Sequence, residues 1–212
     1  MQDLIEYNLL LKYKTLIGVD EAGRGPLAGP VFIGAVVIES KNDFIILSKI
    51  GKDSKSLSSK EREKRYFQLI NNFKCYSNFS TPSLIDKINI FKATEKAITK
   101  LVEKHIDPYN SNYHIIIDGK YFKIPYSSEC IVKGDEISPL IGAASIIAKY
   151  ERDQYMIHLH NIFPNYDFAS HKGYPTKKHI ENIIKFGIIS EHRKTFNPIK
   201  KFIEEGIINI IQ

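Results

Sequence analysis

Hydrophobic and polar positions along this chain alternate between two spacings, one typical of strands and one typical of helices. Five segments rich in β-branched residues or with alternating polarity predict strands, at residues 15–20, 30–39, 74–81, 114–118 and 129–133. Apolar positions recur at helical spacing over residues 59–73 and 89–105, which predicts two amphipathic helices.

Capping residues predict further helices in the second half of the chain. Ser138 followed by Pro139 is a favourable helix start, and the small residues after it indicate close packing against the sheet. Thr176 caps a further predicted helix that stops at Gly187, and residues from about Pro198 onward are predicted helical. Strands clustered early, with helices between and after them, predict a mixed α/β fold with a helical C-terminal part.

Composition limits the class of protein. Of 212 residues, 43% are hydrophobic and 25% charged, which excludes a disordered or collagen-like chain. The net charge of +6 suggests an anionic partner, most commonly nucleic acid, although a lysine-rich composition alone could produce it.

The location is predicted to be cytoplasmic, without contact to a membrane. The longest apolar stretch, residues 140–148, is far shorter than the ~20 residues that a membrane span requires. Cys75 and Cys130 lie far apart in the sequence and form no metal-binding pair, so we expect both to be reduced.

Carboxylates recur at the ends of the predicted strands. Asp20 and Glu21 follow an apolar strand and precede a turn rich in glycine, Asp118 ends a second strand, and Asp135 precedes the long helix. Taken singly, Asp118 with Gly119 could simply mark a turn, and Asp135 could cap a helix. Together the four predict a site for a hard cation, because Mg²⁺ prefers carboxylate oxygens and shares phosphate oxygens.

Other chemistries fit the sequence less well. Residues 23–28 match a loosened dinucleotide-binding pattern, but a strand is predicted after them where that fold needs a helix. The chain contains no GxxxxGK[ST] motif for a nucleotide phosphate, no HExxH zinc motif and no GxSxG nucleophile motif.

Seven sequence blocks, in order and spanning most of the chain, resemble the ribonuclease HII family, the type 2 RNase H enzymes. The blocks are GVDEAGRGPLAGPV at 18–31, DSKSL at 53–57, IDKINIFKAT at 85–94, IDGK at 117–120, KGDEISPLIGAASIIAKYERD at 133–153, HKGYPTKKH at 171–179 and EHRKTF at 191–196. The resemblance implies an RNase H-like mixed sheet flanked by helices, with residues 1–165 as the catalytic domain and 166–212 as a helical segment that contributes to substrate binding.

The resemblance also implies a chemistry and a set of site residues. The family's four catalytic and metal-binding acids correspond to Asp20, Glu21, Asp118 and Asp135, which would hold Mg²⁺ or Mn²⁺ for a two-metal reaction. The implied substrates are RNA–DNA hybrids and duplex DNA that contains ribonucleotides, cut on the 5′ side of the ribonucleotide to leave 5′-phosphate and 3′-hydroxyl ends.

Five residues are predicted to bind substrate, namely Gly23, Arg24, Gly25, Lys55 and Tyr174. In the family, the glycine–arginine–glycine loop and the tyrosine recognise the junction between a ribonucleotide and the next deoxyribonucleotide. Glycines let the backbone approach a 2′-hydroxyl, the group that separates RNA from DNA. Tyr174 could instead be an ordinary core tyrosine, Lys55 is one lysine among many, and Asp153 could form a salt bridge to Arg152 or a lysine or support the site.

Two alternative classes of protein also fit parts of the sequence. Ribonuclease HIII carries an additional N-terminal domain, for which the roughly 14 residues before the first strand leave no room. A non-catalytic protein could bind nucleic acid through positive charge alone, but such a protein has no need of four converging acids. The expected protein is therefore a monomeric, metal-dependent endoribonuclease.

Overall fold

Five strands form one mixed sheet at the centre of the computed structural model, which describes residues 5–51, 56–106 and 112–208. The strands are β1 Thr15–Ala22, β2 Val31–Ile38, β3 Lys74–Ser80, β4 Tyr113–Asp118 and β5 Ser128–Ile131. Their order is β3-β2-β1-β4-β5. β2 is antiparallel to β1 and β3, whereas β4 is parallel to β1 and β5.

Ten α-helices surround the sheet within the described ranges. They are α1 Ile5–Leu9, α2 Lys41–Ser48, α3 Ser59–Asn72, α4 Pro82–Ile88, α5 Ile90–His105, α6 Gly134–Ile137, α7 Pro139–Ile162, α8 Phe168–His171, α9 Lys177–Phe186 and α10 Ile199–Glu204. A short 3₁₀ helix, Pro164–Tyr166, joins α7 to α8. No helix among the described residues has the length and apolar character that crossing a bilayer requires.

The predicted fold class is confirmed, and all five predicted strands are present. The caps at Ser138 and Thr176 form as expected: Ser138 accepts a hydrogen bond from the Ile141 amide, and Thr176 accepts one from the His179 amide. The short helices α1, α2, α4, α6 and α8 were not predicted, because they carry too few residues to show a helical period.

Helix α7 covers one face of the sheet at very close range. A Cβ added to Gly34 would lie 2.2 Å from the backbone oxygen of Ala144, and one added to Gly18 would lie 2.6 Å from Leu140. Any larger residue at these two strand positions would push α7 away from the sheet. This close approach brings the middle of α7 next to the carboxyl end of β1.

The opposite face packs on α5, and the C-terminal segment packs on the loop after β1. Ala97, Ile98 and Leu101 of α5 are buried against the sheet. Leu27, from the loop between β1 and β2, is buried among Ile183, Ile188 and other apolar residues of the C-terminal segment. This glycine-rich loop, residues 23–30, therefore lies between the sheet and the C-terminal helices.

Candidate active site

Three carboxylates converge at one edge of the sheet. The parallel pairing of β1 with β4 ends at Val19 and Ile117, so Asp20, Glu21 and Asp118 follow where the carboxyl ends of the two strands meet. One oxygen from each of the three lies within 4.8 Å of the others. The structure thus brings together three of the four acids that the sequence singled out.

The two adjacent acids lie inside β1 rather than after it. The predicted strand stopped at Asp20, but β1 continues to Ala22 because it stays paired with β2, with Asp20 opposite Gly34 and Glu21 opposite Ile33. Both carboxylates reach the site because β4 ends beside them and leaves that side of β1 open.

Asp135 lies outside this group of three among the described residues. It is buried on the short helix α6, which begins just after a left-handed residue, Lys133. The amide of Gly134 donates a hydrogen bond of 2.6 Å to Oδ1 of Asp118. Asp135 is thus next in sequence to a residue that contacts the cluster, and its role as a fourth metal ligand stays a prediction.

Burial and mutual repulsion make the cluster costly to ionise. Asp20 is only 4% exposed, and its pKa is raised well above the usual value by burial, then by Glu21 and Asp118. Burial also raises the pKa of Glu21, while Arg24 opposes this effect. Two unit charges about 4 Å apart repel by roughly 4 kcal/mol at an effective dielectric constant near 20. A bound cation would relieve this repulsion.

The donor set fits a divalent metal ion. All the groups are carboxylate oxygens, which hard cations prefer. Oε2 of Glu21 is buried without a hydrogen-bond partner, so one oxygen of the cluster has its lone pairs unused. Asp20, Glu21 and Asp118 would hold the ion, and oxygen ligands of this kind suit both Mg²⁺ and Mn²⁺.

Helix α7 contributes two residues to the cluster that the sequence analysis did not assign to it. Ser145 hydrogen-bonds the carboxylate of Asp20, and the positive charge of Lys149 lowers the pKa of that carboxyl. Nζ of Lys149 also donates a 2.7 Å hydrogen bond to Oγ of Ser145. The available signal was a serine inside an apolar helix with a lysine four residues later, hence on the same helix face.

The glycine-rich loop lies directly beside the acids. Arg24 forms a 3.2 Å ion pair with Oε1 of Glu21 and is 43% exposed. Gly23 has φ +93°, and a Cβ there would lie 2.0 Å from Nε of Arg152, so only glycine fits. A Cβ at Gly25 would instead meet only the ring of Tyr174, 3.8 Å away.

Tyr174 lies on the surface next to this loop. Its side chain is 48% exposed, which argues against the alternative of a core tyrosine. The guanidinium of Arg152 lies 5.9 Å from the centre of its ring. An exposed aromatic ring beside Gly25 is available to pack against a ligand.

Lys55, which the sequence predicts to bind substrate, lies outside the described residues. Asp153 forms a 3.0 Å ion pair with Arg62 of α3 rather than with Arg152 or a lysine. The side chain of Arg152 points instead to backbone carbonyls of the glycine-rich loop, at Ala28 and Pro30.

The fold and the acidic edge define a nuclease of the RNase H-like class, and solved structures similar to the chain share this architecture. A ribonuclease H2 structure from Pyrococcus horikoshii OT3 matches with a TM-score of 0.74 at 28% identity, over 91% of this chain and 98% of that one. The chain in a complex of PCNA and RNase HII from Archaeoglobus fulgidus matches with a TM-score of 0.70 at 24% identity, over 86% and 95% of the two chains, which supports the fold alone.

The chain belongs to the ribonuclease HII family. The family model for ribonuclease HII matches residues 17–199. A ribonuclease HII from Francisella tularensis subsp. holarctica is 41% identical over 197 residues, which cover 90% of this chain and 99% of that protein. The chain is accordingly an endonucleolytic hydrolase, a ribonuclease H that acts on RNA–DNA hybrids.

Addition of Mg²⁺ is expected to raise the melting temperature of the metal-free protein at neutral pH. A ligand at 100 times its Kd stabilises the folded state by about 2.7 kcal/mol, and for a chain of this size each kcal/mol shifts Tm by ~2–4 °C. Calorimetry with and without EDTA measures the shift. Asp20→Asn is the matched comparison, because it removes one ligand and most of the shift should disappear with it. An unchanged wild-type Tm at millimolar Mg²⁺ would contradict a preformed metal site.

Proposed function

We propose that this chain is a divalent-metal-dependent endoribonuclease that cuts on the 5′ side of a ribonucleotide embedded in duplex DNA, as well as within RNA–DNA hybrids. The products are a 5′-phosphate and a 3′-hydroxyl end. The proposal rests on one continuous set of contacts. The acid cluster is joined to the glycine-rich loop through Glu21 and Arg24, and the loop meets Tyr174 at Gly25.

The acidic and the basic side chains have separate roles at the phosphate that is cut. Asp20, Glu21 and Asp118 bind divalent cations, with Asp135 proposed as a fourth ligand from the adjacent helix. When bound, such ions supply the positive charge that lowers the pKa of water and offsets charge on the phosphate. Arg24 is half-exposed and lies beside the cluster, so it can bind a phosphate oxygen when substrate arrives.

The loop and Tyr174 provide the selectivity for a single ribonucleotide. Gly25 is exposed, and a Cβ there would meet only the ring of Tyr174, 3.8 Å away, so a 2′-hydroxyl has room to approach its backbone. The ring of Tyr174 packs against the following sugar, and an added hydroxyl there would disturb the contact. Lys55 is proposed to bind a phosphate. We further propose that the enzyme acts as a monomer in the cytoplasm, with residues 166–212 serving substrate binding.

Cleavage of a labelled DNA duplex that contains one ribonucleotide tests this proposal. Wild-type protein should cut once, on the 5′ side of the ribonucleotide, in Mg²⁺ or Mn²⁺, and should not cut in EDTA. End analysis of the products should give the two termini stated above. An all-DNA duplex is the control. Cleavage on the 3′ side, or cleavage of hybrids without cleavage of this duplex, would contradict the proposed selectivity.

A further inference from the structure

The segment Glu191–Arg193 belongs to one of the family-like sequence blocks, yet it carries no role in the proposed reaction. It lies alongside the glycine-rich loop. The amide of Gly29 donates to the oxygen of Glu191, and the amide of Arg193 donates to the oxygen of Leu27, each at 2.8 Å. Ala28 and His192 form an antiparallel bridge between these two stretches.

The side chain of Arg193 reaches from this bridge into the loop that precedes it. Its guanidinium is fully buried and donates four hydrogen bonds to backbone carbonyls: to Gly23 at 2.6 Å, to Arg24 at 3.0 Å and to Gly29 at 2.7 and 3.0 Å. Although burial lowers its pKa, a guanidinium stays protonated at neutral pH. A buried cation thus binds both ends of the loop.

These bonds determine where the loop presents its amide groups. In a trans peptide the C=O and the following N–H point in opposite directions. Because the carbonyls of Gly23 and Arg24 point at Arg193, the amides of Arg24 and Gly25 point away from it. Two successive amides directed the same way form a concave donor surface for an oxygen.

His192 extends from the other side of the same bridge towards Tyr174. Its Nε2 lies 3.3 Å from Nε2 of His179, and Nδ1 of His179 lies 2.9 Å from the backbone oxygen of Tyr174. His179 and His192 are both almost fully buried. The two imidazoles therefore form one chain of contacts that ends at the backbone of Tyr174.

The hydrogen bonds fix the tautomers of both rings. The amide of Ile189 donates to Nδ1 of His192 at 3.1 Å, so the proton of that ring is on Nε2. His179 must donate from Nδ1 to the Tyr174 carbonyl, so its Nε2 accepts from His192. Burial lowers the pKa of His179 to about 4 and that of His192 to about 3, so both rings are neutral at pH 7. No position in this chain of contacts tolerates an added proton.

We propose that His192 and Arg193 are positioning residues that hold the loop amides and the Tyr174 ring at the separation that one ribonucleotide–deoxyribonucleotide step requires. Neither residue touches the substrate. Arg193 orients the loop, and His192 acts through His179 on Tyr174. Because His192 and Arg193 are adjacent in sequence, they fix the position of the loop relative to Tyr174. This inference rests on the proposed function, since it explains how the selectivity of that site is built.

Substitution of each residue tests the inference on two substrates. His192→Phe keeps the ring volume and removes both the contact with His179 and the acceptor of the Ile189 amide. Arg193→Lys keeps the charge and loses the planar set of donors. The quantity to compare is the cleavage rate at a single ribonucleotide divided by the cleavage rate of a long hybrid. Each variant should lower this ratio by about tenfold. A long hybrid offers a 2′-hydroxyl at every step, so misplacement of the loop or ring affects it less. A purely structural defect would lower both rates equally and leave the ratio unchanged.

Further variants show whether His192 changes the rate ratio through its contact with His179 and Tyr174. His192→Gln restores a side-chain donor at the place of Nε2 and should recover most of the ratio. In the background of Tyr174→Ala, His192→Phe should change the ratio less than twofold, because its effect passes through Tyr174. His158→Phe, on the exposed face of α7, should leave both rates unchanged.

Each outcome decides the question. Ratios within twofold of wild type for both His192→Phe and Arg193→Lys would overturn the inference while leaving the proposed function intact, and so would full additivity with Tyr174→Ala. Wild-type protein that does not cut at a single ribonucleotide would overturn the proposed function, and the inference with it. If His192→Phe does not fold, the ratio measured for Arg193→Lys decides alone, since Arg152 still binds Ala28 and Pro30 in that variant.

Discussion

Asp20→Asn is expected to lose cleavage of both hybrid and single-ribonucleotide substrates while it keeps its affinity for them. The carboxylate of Asp20 lies in the group of three whose oxygens are within 4.8 Å of one another, and an amide replaces one anionic ligand there. Removal of one preorganised electrostatic group at a reacting centre typically lowers the rate by about 10²–10³. Single-turnover kinetics with a labelled hybrid measure the loss, and a filter-binding assay measures the affinity.

The same substitution is expected to stabilise the metal-free protein at pH 7.5. A raised pKa means that folded Asp20 holds its proton more tightly than unfolded Asp20 does, so the wild type loses stability as pH rises from about 3.9 through the raised value. The neutral amide escapes this loss. We therefore expect metal-free Asp20→Asn to melt at a higher temperature than wild type in EDTA, and each kcal/mol gained raises Tm by ~2–4 °C. The gap to wild type should close as the pH falls.

Glu204→Gln is the control for both measurements. Glu204 is an exposed residue of α10 that forms a 3.8 Å ion pair with Lys200, and neither residue belongs to the acid cluster. Its loss should leave cleavage and stability near wild-type values, since exposed ion pairs contribute little. Cleavage by Asp20→Asn at more than a tenth of the wild-type rate would contradict the role given to Asp20.

Most of the sheet could be predicted from local sequence patterns. The strands are confirmed because runs such as residues 114–118 are apolar on both faces, and both faces of this sheet are covered by helices. The position of Asp20 and Glu21 relative to the strand end was wrong, because that end is set by pairing with β2, which no local pattern contains. Helix α6 escaped prediction because it spans only four residues.

The candidate site was predictable only where its chemistry is carried by residue type. The carboxylates of β1 and β4 could be predicted, because each follows directly after an apolar run in the sequence. The roles of Ser145, Lys149 and Arg193 could not be predicted, because each acts on residues distant in sequence. Arg193 and Gly23, for example, are 170 positions apart. A buried arginine bound to carbonyls looks, in sequence, like any surface arginine.

Tyr174→Ala is expected to lose most cleavage at a single embedded ribonucleotide. The ring is half-exposed beside Gly25, where we propose that it packs against a sugar. A base stacked on an aromatic side chain contributes about 1–3 kcal/mol, and a contact of similar strength here would correspond to roughly a tenfold to hundredfold loss. Tyr174→Phe is the matched control, because it keeps the ring and removes only the hydroxyl, so it should retain most of the rate. Single-turnover rates on a duplex with one ribonucleotide measure both variants. Since the backbone of Tyr174 stays bound to His179 in each, a rate for Tyr174→Ala equal to wild type would mean that the ring does not contact the substrate.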